Sequence, residues 1–208
     1  LFQTPAPFGS RNQAREIHGS TAVRTALKPM FALDVFILQA LRHLVGISKL
    51  TDWLIIFFAE YLIYFMVAAF LYFLFKAARG RKMYFFALAA ISTILSRGII
   101  TELIRFFFFR LRPFAALAFS PLVAQSAAEA AFPSGHMAFL APLALVFWYM
   151  DRKKGNWFIA LTLLVGIARV IAGLHYPSDI LCGLLIGLAS FFAIRPFLRK
   201  ADAASGAQ

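Results

Sequence analysis

Between Trp53 and Phe197 the chain alternates five long apolar runs with short polar turns. The runs are Trp53 to Phe75, Tyr84 to Ile104, Pro133 to Met150, Trp157 to Gly173 and Ser178 to Phe197. About 20 apolar residues in a helix cross the ~30 Å hydrocarbon core of a bilayer. In lipid every backbone N–H and C=O must find its partner inside the segment, which a helix provides. The pattern therefore predicts an all-α, polytopic membrane helix bundle with five clear transmembrane helices. Composition agrees: 62% of the 208 residues are hydrophobic, 14% are charged and 25 are Phe. A soluble domain of this length has too little interior to hide that much apolar surface.

The formal net charge of +12 could suggest nucleic acid, but its distribution says otherwise. Basic residues gather in short segments after the first, third and fifth runs: Lys76 to Lys82, Arg152 to Lys154, and Arg195 to Lys200. Positive loops mark the cytoplasmic side of a membrane protein. The predicted partner is the bilayer, with no nucleic acid. The polar loop 113–132 and the turns at Ser134-Gly135-His136 and His175-Tyr176-Pro177-Ser178-Asp179 then face the periplasm or cell exterior. A single cysteine, Cys182, excludes an intrachain disulfide and a multi-cysteine metal site.

Residues 1–30 form a polar, basic N-terminal arm without the long apolar core of a secretory signal. Residues 31–47 carry Asp34, Gln39, Arg42 and His43 among apolar positions. They fit an N-terminal interfacial helix or a sixth span. The membrane domain is expected over 31–198, with 199–208 as a cytoplasmic tail. Glu60 and Arg97 fall inside spans, each roughly 10–12 Å deep at about 1.5 Å per residue. Such residues usually face the bundle and pair, so a structural Glu60–Arg97 contact is expected; the alternative is that either one faces a functional cavity, Arg97 through Glu102. Gly183 and Gly187 suit close packing within the bundle rather than a dimer face.

Three polar clusters converge on the outward side. Arg105 and Arg112 stand seven residues apart, nearly two helical turns, so a continuing helix puts both on one face. Arginine suits bidentate binding of phosphate oxygens. Pro133-Ser134-Gly135-His136 reads as a helix N-terminus whose free N–H groups favour an anion, with a hydroxyl donor and an imidazole beside it. Arg169, His175 and Asp179 form the third. Pro177 fits the first helical position, and Asp179 lies within reach of the His175 ring. Arginines, a helix start and two histidines on one face describe an oxyanion site. No metal-spaced cluster accompanies them, so neither metal nor other cofactor is predicted.

Arg105-x6-Arg112-Pro113, Pro133-Ser134-Gly135-His136 and Arg169-x5-His175-x3-Asp179 resemble the three signature motifs of the type 2 phosphatidic acid phosphatase superfamily. The resemblance covers about residues 50–198. Two positions depart from it: the family usually has Lys at Arg105 and Ser at Ala168. The resemblance implies a membrane lipid phosphatase in which His175 attacks phosphorus, Asp179 orients its ring, and His136 protonates the leaving oxygen and then activates water. Arg105, Arg112, Ser134, Gly135 and Arg169 would hold the phosphoryl oxygens. The Arg-Pro-Phe and His-Tyr-Pro-Ser-Asp wording resembles bacterial undecaprenyl diphosphate phosphatases of cell-wall synthesis, enzymes of the inner (plasma) membrane. Phosphatidylglycerophosphate or phosphatidic acid phosphatase is one alternative, and lipid A phosphatase or phosphotransferase another. Outside the enzymes, intramembrane Glu60 and Arg97 would suit a transporter or inactive relative, whereas placement of the polar residues at one surface favours catalysis.

Overall fold

The computed structural model describes residues 21–77 and 79–205; among them the regular elements are all helices, with no strand. The helices are α1 (Thr21–Arg42), α2 (Lys49–Lys76), α3 (Arg81–Phe107), the short α4 (Pro113–Ala116), α5 (Gly135–Met150), α6 (Arg152–Ile171) and α7 (Pro177–Ser205). α2, α3, α6 and α7 are long and apolar enough to cross a membrane, and α5 is a shorter apolar helix.

Each boundary has a local cause. The Ser48 hydroxyl accepts the Thr51 N–H at 3.1 Å, capping α2. Asp151 ends α5, and its carboxylate accepts the Lys154 N–H at 3.0 Å to start α6. One residue thus joins two antiparallel helices. Pro177 opens α7, where a missing N–H costs nothing.

α5 is the central helix. Met137, Ala138, Leu140 and Val146 are fully buried, so this helix, shorter than the four long apolar ones, is the one shielded from lipid by its neighbours. α7 packs closely on it. A Cβ at Gly187 would sit 2.6 Å from that of Ala141, and one at Gly183 would meet the Ser134 carbonyl. The small-residue spacing is therefore used inside the bundle. Phe147 anchors the core, with the Phe70, Phe73 and Phe158 rings around it at 6.2, 5.4 and 4.4 Å. Outward-facing Phe75, Phe106, Phe107, Trp157 and Phe197 are each at least 70% exposed, a surface suited to acyl chains.

Two helices are not regular. α2 widens into a π-helical turn at Phe57–Tyr61, and α3 into another at Ile94–Ile100. Each contains one of the intramembrane charges, Glu60 and Arg97.

α1 begins at Thr21 rather than at 31, so the predicted arm overlaps the helix; residues 1–20 lie outside the described residues. α1 docks on the bundle through Val35 and Leu38, which pack with Val170 and Tyr176. Likewise α7 runs to Ser205, past the predicted tail boundary, because Arg199, Lys200 and Ala201 are good helix formers. Residues 206–208 lie outside the described residues.

Candidate active site

A cavity of about 400 Å³ opens at one end of the bundle, lined by Arg97, Arg105, Arg112, Arg169, His136 and His175, with Gly135, Gln125 and Glu129 among the other walls. All three predicted clusters meet here. The basic segments lie at the opposite end, because α3, α6 and α7 carry their site residues near one terminus and the basic residues of 81–82, 152–154 and 195–200 near the other.

His175 sits in the turn between α6 and α7 and is 1% exposed. Its Nδ1 is 2.8 Å from the Ala131 carbonyl. A carbonyl can only accept, so Nδ1 carries the proton and Nε2 keeps its lone pair. Burial, with the charges of Arg169 and Arg112 adding to it, holds the imidazole well below its ordinary pKa. His175 is neutral at physiological pH, the form a nucleophile needs.

The expected direct contact with Asp179 is not made. Its carboxylate lies 3.8 Å from His175 Nδ1, beyond a hydrogen bond. Asp179 instead accepts the Tyr176 N–H at 2.8 Å and an Arg110 N–H at 2.6 Å. It fixes the backbone beside the histidine rather than the ring. The reason is geometric: the Ala131 carbonyl already occupies the ring N–H.

The arginines arrive by different routes. Arg105 is in the last turn of α3 and donates to the Pro133 carbonyl at 3.0 Å. Arg112 was expected on the same helix face, but α3 ends at Phe107 and Arg112 is extended, with φ −64° and ψ 149°. Pro113 disfavours the helical conformation for the residue before it. An extended strap therefore carries Arg112 to the cavity, where it donates to the Leu174 carbonyl at 3.3 Å and to Glu129 at 2.9 Å. Arg169, 1% exposed, donates to the Ala59 carbonyl at 2.8 Å and lies 3.1 Å from His136 Nε2. A guanidinium can only donate, so Nε2 is the acceptor and His136 carries its proton on Nδ1.

The intramembrane charges pair differently from the expected Glu60–Arg97 contact. Glu60 lies 3.8 Å from Arg169, and Arg97 is bonded to Glu102. The two π-turns account for this, since each shifts the helical phase of its charge. The Ser96 hydroxyl donates to the Ala138 carbonyl of α5 at 2.7 Å, which holds the second π-turn against the start of α5. Arg97 then crosses Gly135 so closely that a Cβ there would lie 2.6 Å from its Nε. Arg97 thus follows the alternative expectation: it lines the cavity and is bonded to Glu102. Glu129 and Gln125, from the loop before α5, were also missed, having no motif to mark them.

Several buried donors are left over. Nε of Arg105, Arg112 and Arg169 and the Ser134 hydroxyl are buried and have no hydrogen-bond partner. Buried polar groups are nearly always bonded. Four unmet donors in one cationic region mark a place for an oxyanion. At the N-terminus of α5, the first backbone bond back to Ser134 comes from Ala138; earlier amides are available to an anion. Ala168, where the family usually has Ser, packs in an apolar cluster with Ile55, Ala59 and Leu174 and does not line the cavity. Among the described residues no group of three or more His, Cys, Asp or Glu side chains could hold a metal ion.

The sequence model of the PAP2 superfamily matches residues 86–202. An undecaprenyl-diphosphatase BcrC of Bacillus subtilis is 28% identical over 170 residues, covering 78% of this chain and 86% of that protein. A lipid A 1-phosphatase of Rhizobium johnstonii is 36% identical over 104 residues, covering 46% of this chain and 41% of that protein. The chain thus spans less than half the length of the second relative. Among solved structures, Aquifex aeolicus LpxE superimposes with a TM-score of 0.62 at 22% identity, covering 77% of this chain and 93% of that one. With the motifs gathered at one cavity and the family match spanning α3 to α7, the chain is a multi-pass membrane member of the PAP2 superfamily.

Proposed function

We propose that this membrane enzyme removes a phosphoryl group from a lipid phosphate or diphosphate through a phosphohistidine, with undecaprenyl diphosphate as its substrate and undecaprenyl phosphate as the product. The observation that carries the reading is the set of unmet buried donors on Arg105, Arg112, Arg169 and Ser134 around a neutral His175.

His175 Nε2 attacks phosphorus, and the bond from phosphorus to the leaving lipid-phosphate oxygen breaks. The phosphoryl anion offsets the surrounding arginine charge, so His136 takes up a second proton as substrate binds; the imidazolium protonates that oxygen and returns to the neutral form. In the second step His136 takes a proton from water, the hydroxide attacks the phosphohistidine, and inorganic phosphate leaves as the N–P bond breaks. Charge spreads over the phosphoryl oxygens in both transition states, so the arginines supply most of the stabilisation. Arg97 joins Arg105, Arg112 and Arg169 in that role. No step requires a metal. Asp179 acts through the Tyr176 backbone and Arg110.

Undecaprenyl diphosphate is supported by the coverage of the BcrC relative, which extends over most of both chains. The higher identity of the lipid A 1-phosphatase over a shorter stretch favours lipid A as a second reading. The basic segments at the far end support an inner-membrane protein whose site faces the periplasm or exterior.

The test is phosphate release by purified protein in the presence of a chelator. Undecaprenyl diphosphate should be hydrolysed, and His175→Ala should abolish the release. Parallel assays with lipid A, phosphatidylglycerophosphate and phosphatidic acid rank the substrates. A need for added Mg²⁺, or turnover by His175→Ala, would overturn the mechanism.

A further inference from the structure

Asp34 is a carboxylate on α1, outside the residues that the family model matches, and it is 5% exposed. Its two oxygens meet the start of α7. One accepts the Ser178 N–H at 2.9 Å; the other accepts the Ser178 hydroxyl and an Arg110 N–H at 2.7 Å. Asp34 thus caps the N-terminus of a helix to which it does not belong. Arg110 lies between two carboxylates, donating to Asp34 and, at 2.6 Å, to Asp179. Its guanidinium also stands 4.0 Å over the Tyr176 ring. Behind it, the Phe31 ring of α1 is 5.6 Å from that of Tyr176, and Leu38 packs on the same residue. Residues 176, 178 and 179 are therefore all held by α1 or by Arg110, and the residue just before them is His175.

The backbone carries the coupling further. The Arg110 carbonyl accepts the Ala131 N–H at 2.8 Å, and the Ala131 carbonyl takes the His175 ring N–H. Arg110 consequently grips the His175 turn from both sides. Its side chain holds Asp179, and its main chain holds the residue that fixes the ring. None of Asp34, Arg110 or Phe31 lines the catalytic cavity, so none touches the substrate there.

We propose that Asp34 and Arg110 are positioning residues for His175, and that α1 is a working part of the active site through them. The idea rests on the assignment of His175 as nucleophile. Relaxing the clamp lets the ring drift from the line of attack while leaving the arginine cradle intact. The signature is a fall in kcat without a matching rise in KM.

Asp34→Asn keeps an acceptor for Ser178 but loses the ionic bond to Arg110. Arg110→Lys keeps the charge but puts all its donors on one nitrogen, where Arg110 uses two to reach Asp179 and Asp34. Each is assayed per unit of folded, monodisperse protein, with inorganic phosphate as competitive inhibitor to report on the cradle. We expect kcat to fall about tenfold to a hundredfold in Asp34→Asn, with KM and the phosphate inhibition constant within about twofold of the parent. Arg110→Lys should be less impaired than Arg110→Gln, a partial rescue that loss of packing alone would not give. Unchanged kcat in folded Asp34→Asn or Arg110→Lys, or a loss confined to KM, overturns the proposal. If Asp34→Asn does not fold, Arg110→Lys decides by the same criterion. His175→Ala is the control that separates the two ideas. Turnover by His175→Ala removes the nucleophile assignment and the clamp with it, whereas an inactive His175→Ala beside a fully active Asp34→Asn removes only the clamp.

Discussion

The His175 ring N–H is held by the Ala131 carbonyl at 2.8 Å, a main-chain partner from the loop before α5. A carbonyl cannot take up the ring proton, so it fixes the tautomer while leaving Nε2 basic. Isosteric replacement tests this contact. His175→Asn can keep a donor toward Ala131 but has no nucleophilic nitrogen. It should fold and be inactive, and no acid-labile phosphoenzyme should form when substrate is mixed with it.

The same histidine makes stability depend on pH. An unfolded chain protonates a histidine near pH 6.5, whereas His175 in the fold stays neutral well below that. Below about pH 6.5 the unfolded state therefore binds a proton that the folded state refuses. The stability present above that pH is lost as pH falls toward the folded value, by up to about 1.4 kcal/mol per pH unit. Thermal scans in detergent between pH 7.5 and 5.5 should show a smaller acid-side drop in Tm for His175→Asn than for the parent. Parallel curves would show that His175 is not the group responsible.

Arg97 and Glu102 are bonded, but their side chains are 38% and 50% exposed. Such a pair contributes only about 0–1 kcal/mol to stability. Arg97→Gln should therefore leave Tm nearly unchanged while lowering kcat/KM by about tenfold or more, since it removes a cavity cation. Gly135→Ala should act in the same direction by pushing Arg97 aside. A large fall in Tm with unchanged kcat/KM would return Arg97 to a purely structural role.

Glu60 is the carboxylate within ion-pair distance of buried Arg169. Neutralising it leaves that guanidinium without its charge partner. Glu60→Gln should cost about 1–3 kcal/mol, reduced from a fully buried pair because Glu60 is 30% exposed. Combined with Arg97→Gln, the stability losses should add, because the two residues are not partners. A double-mutant cycle by chemical denaturation measures the sum.

Glu129 occupies an Arg112 N–H that a phosphoryl oxygen could use. Its side chain is 59% exposed, so it can swing out when an anion enters. Glu129→Gln should lower KM about threefold to tenfold, as expected for removing a competing charge at a surface site, with kcat little changed. Initial rates over a substrate series check it.

Much of this was legible from residue order. The apolar runs predicted α2, α3, α5 and α6 to within about five residues, and the start of α7, because bilayer length leaves a chain few choices; the C-terminal end of α7 runs eight residues further. The three clusters met because Arg105 and Arg169 close α3 and α6, Gly135 opens α5 and His175 lies in the turn after α6. What escaped was whatever depended on angle or on distant partners. The path of Arg112 turned on where α3 stopped. The Glu60–Arg169 pairing turned on a π-turn, which the 3.6-residue period does not reveal. Asp34 and Arg110 are 76 positions apart, and nothing local marks either as the other's partner.

Those wide turns have a bearing on how such a site could arise. Each residue inserted into a helix rotates everything beyond it by about 100° relative to everything before. An apolar bundle can thus aim a charge at a functional cavity by a change of one codon in length, which turns one stretch of helix against the next without changing the residue types along either. By the same logic, deleting a single residue within 57–61 or 94–100 would swing Glu60 or Arg97 out of alignment with the cavity residues that follow it. Length, as much as side-chain identity, is part of what these two segments encode.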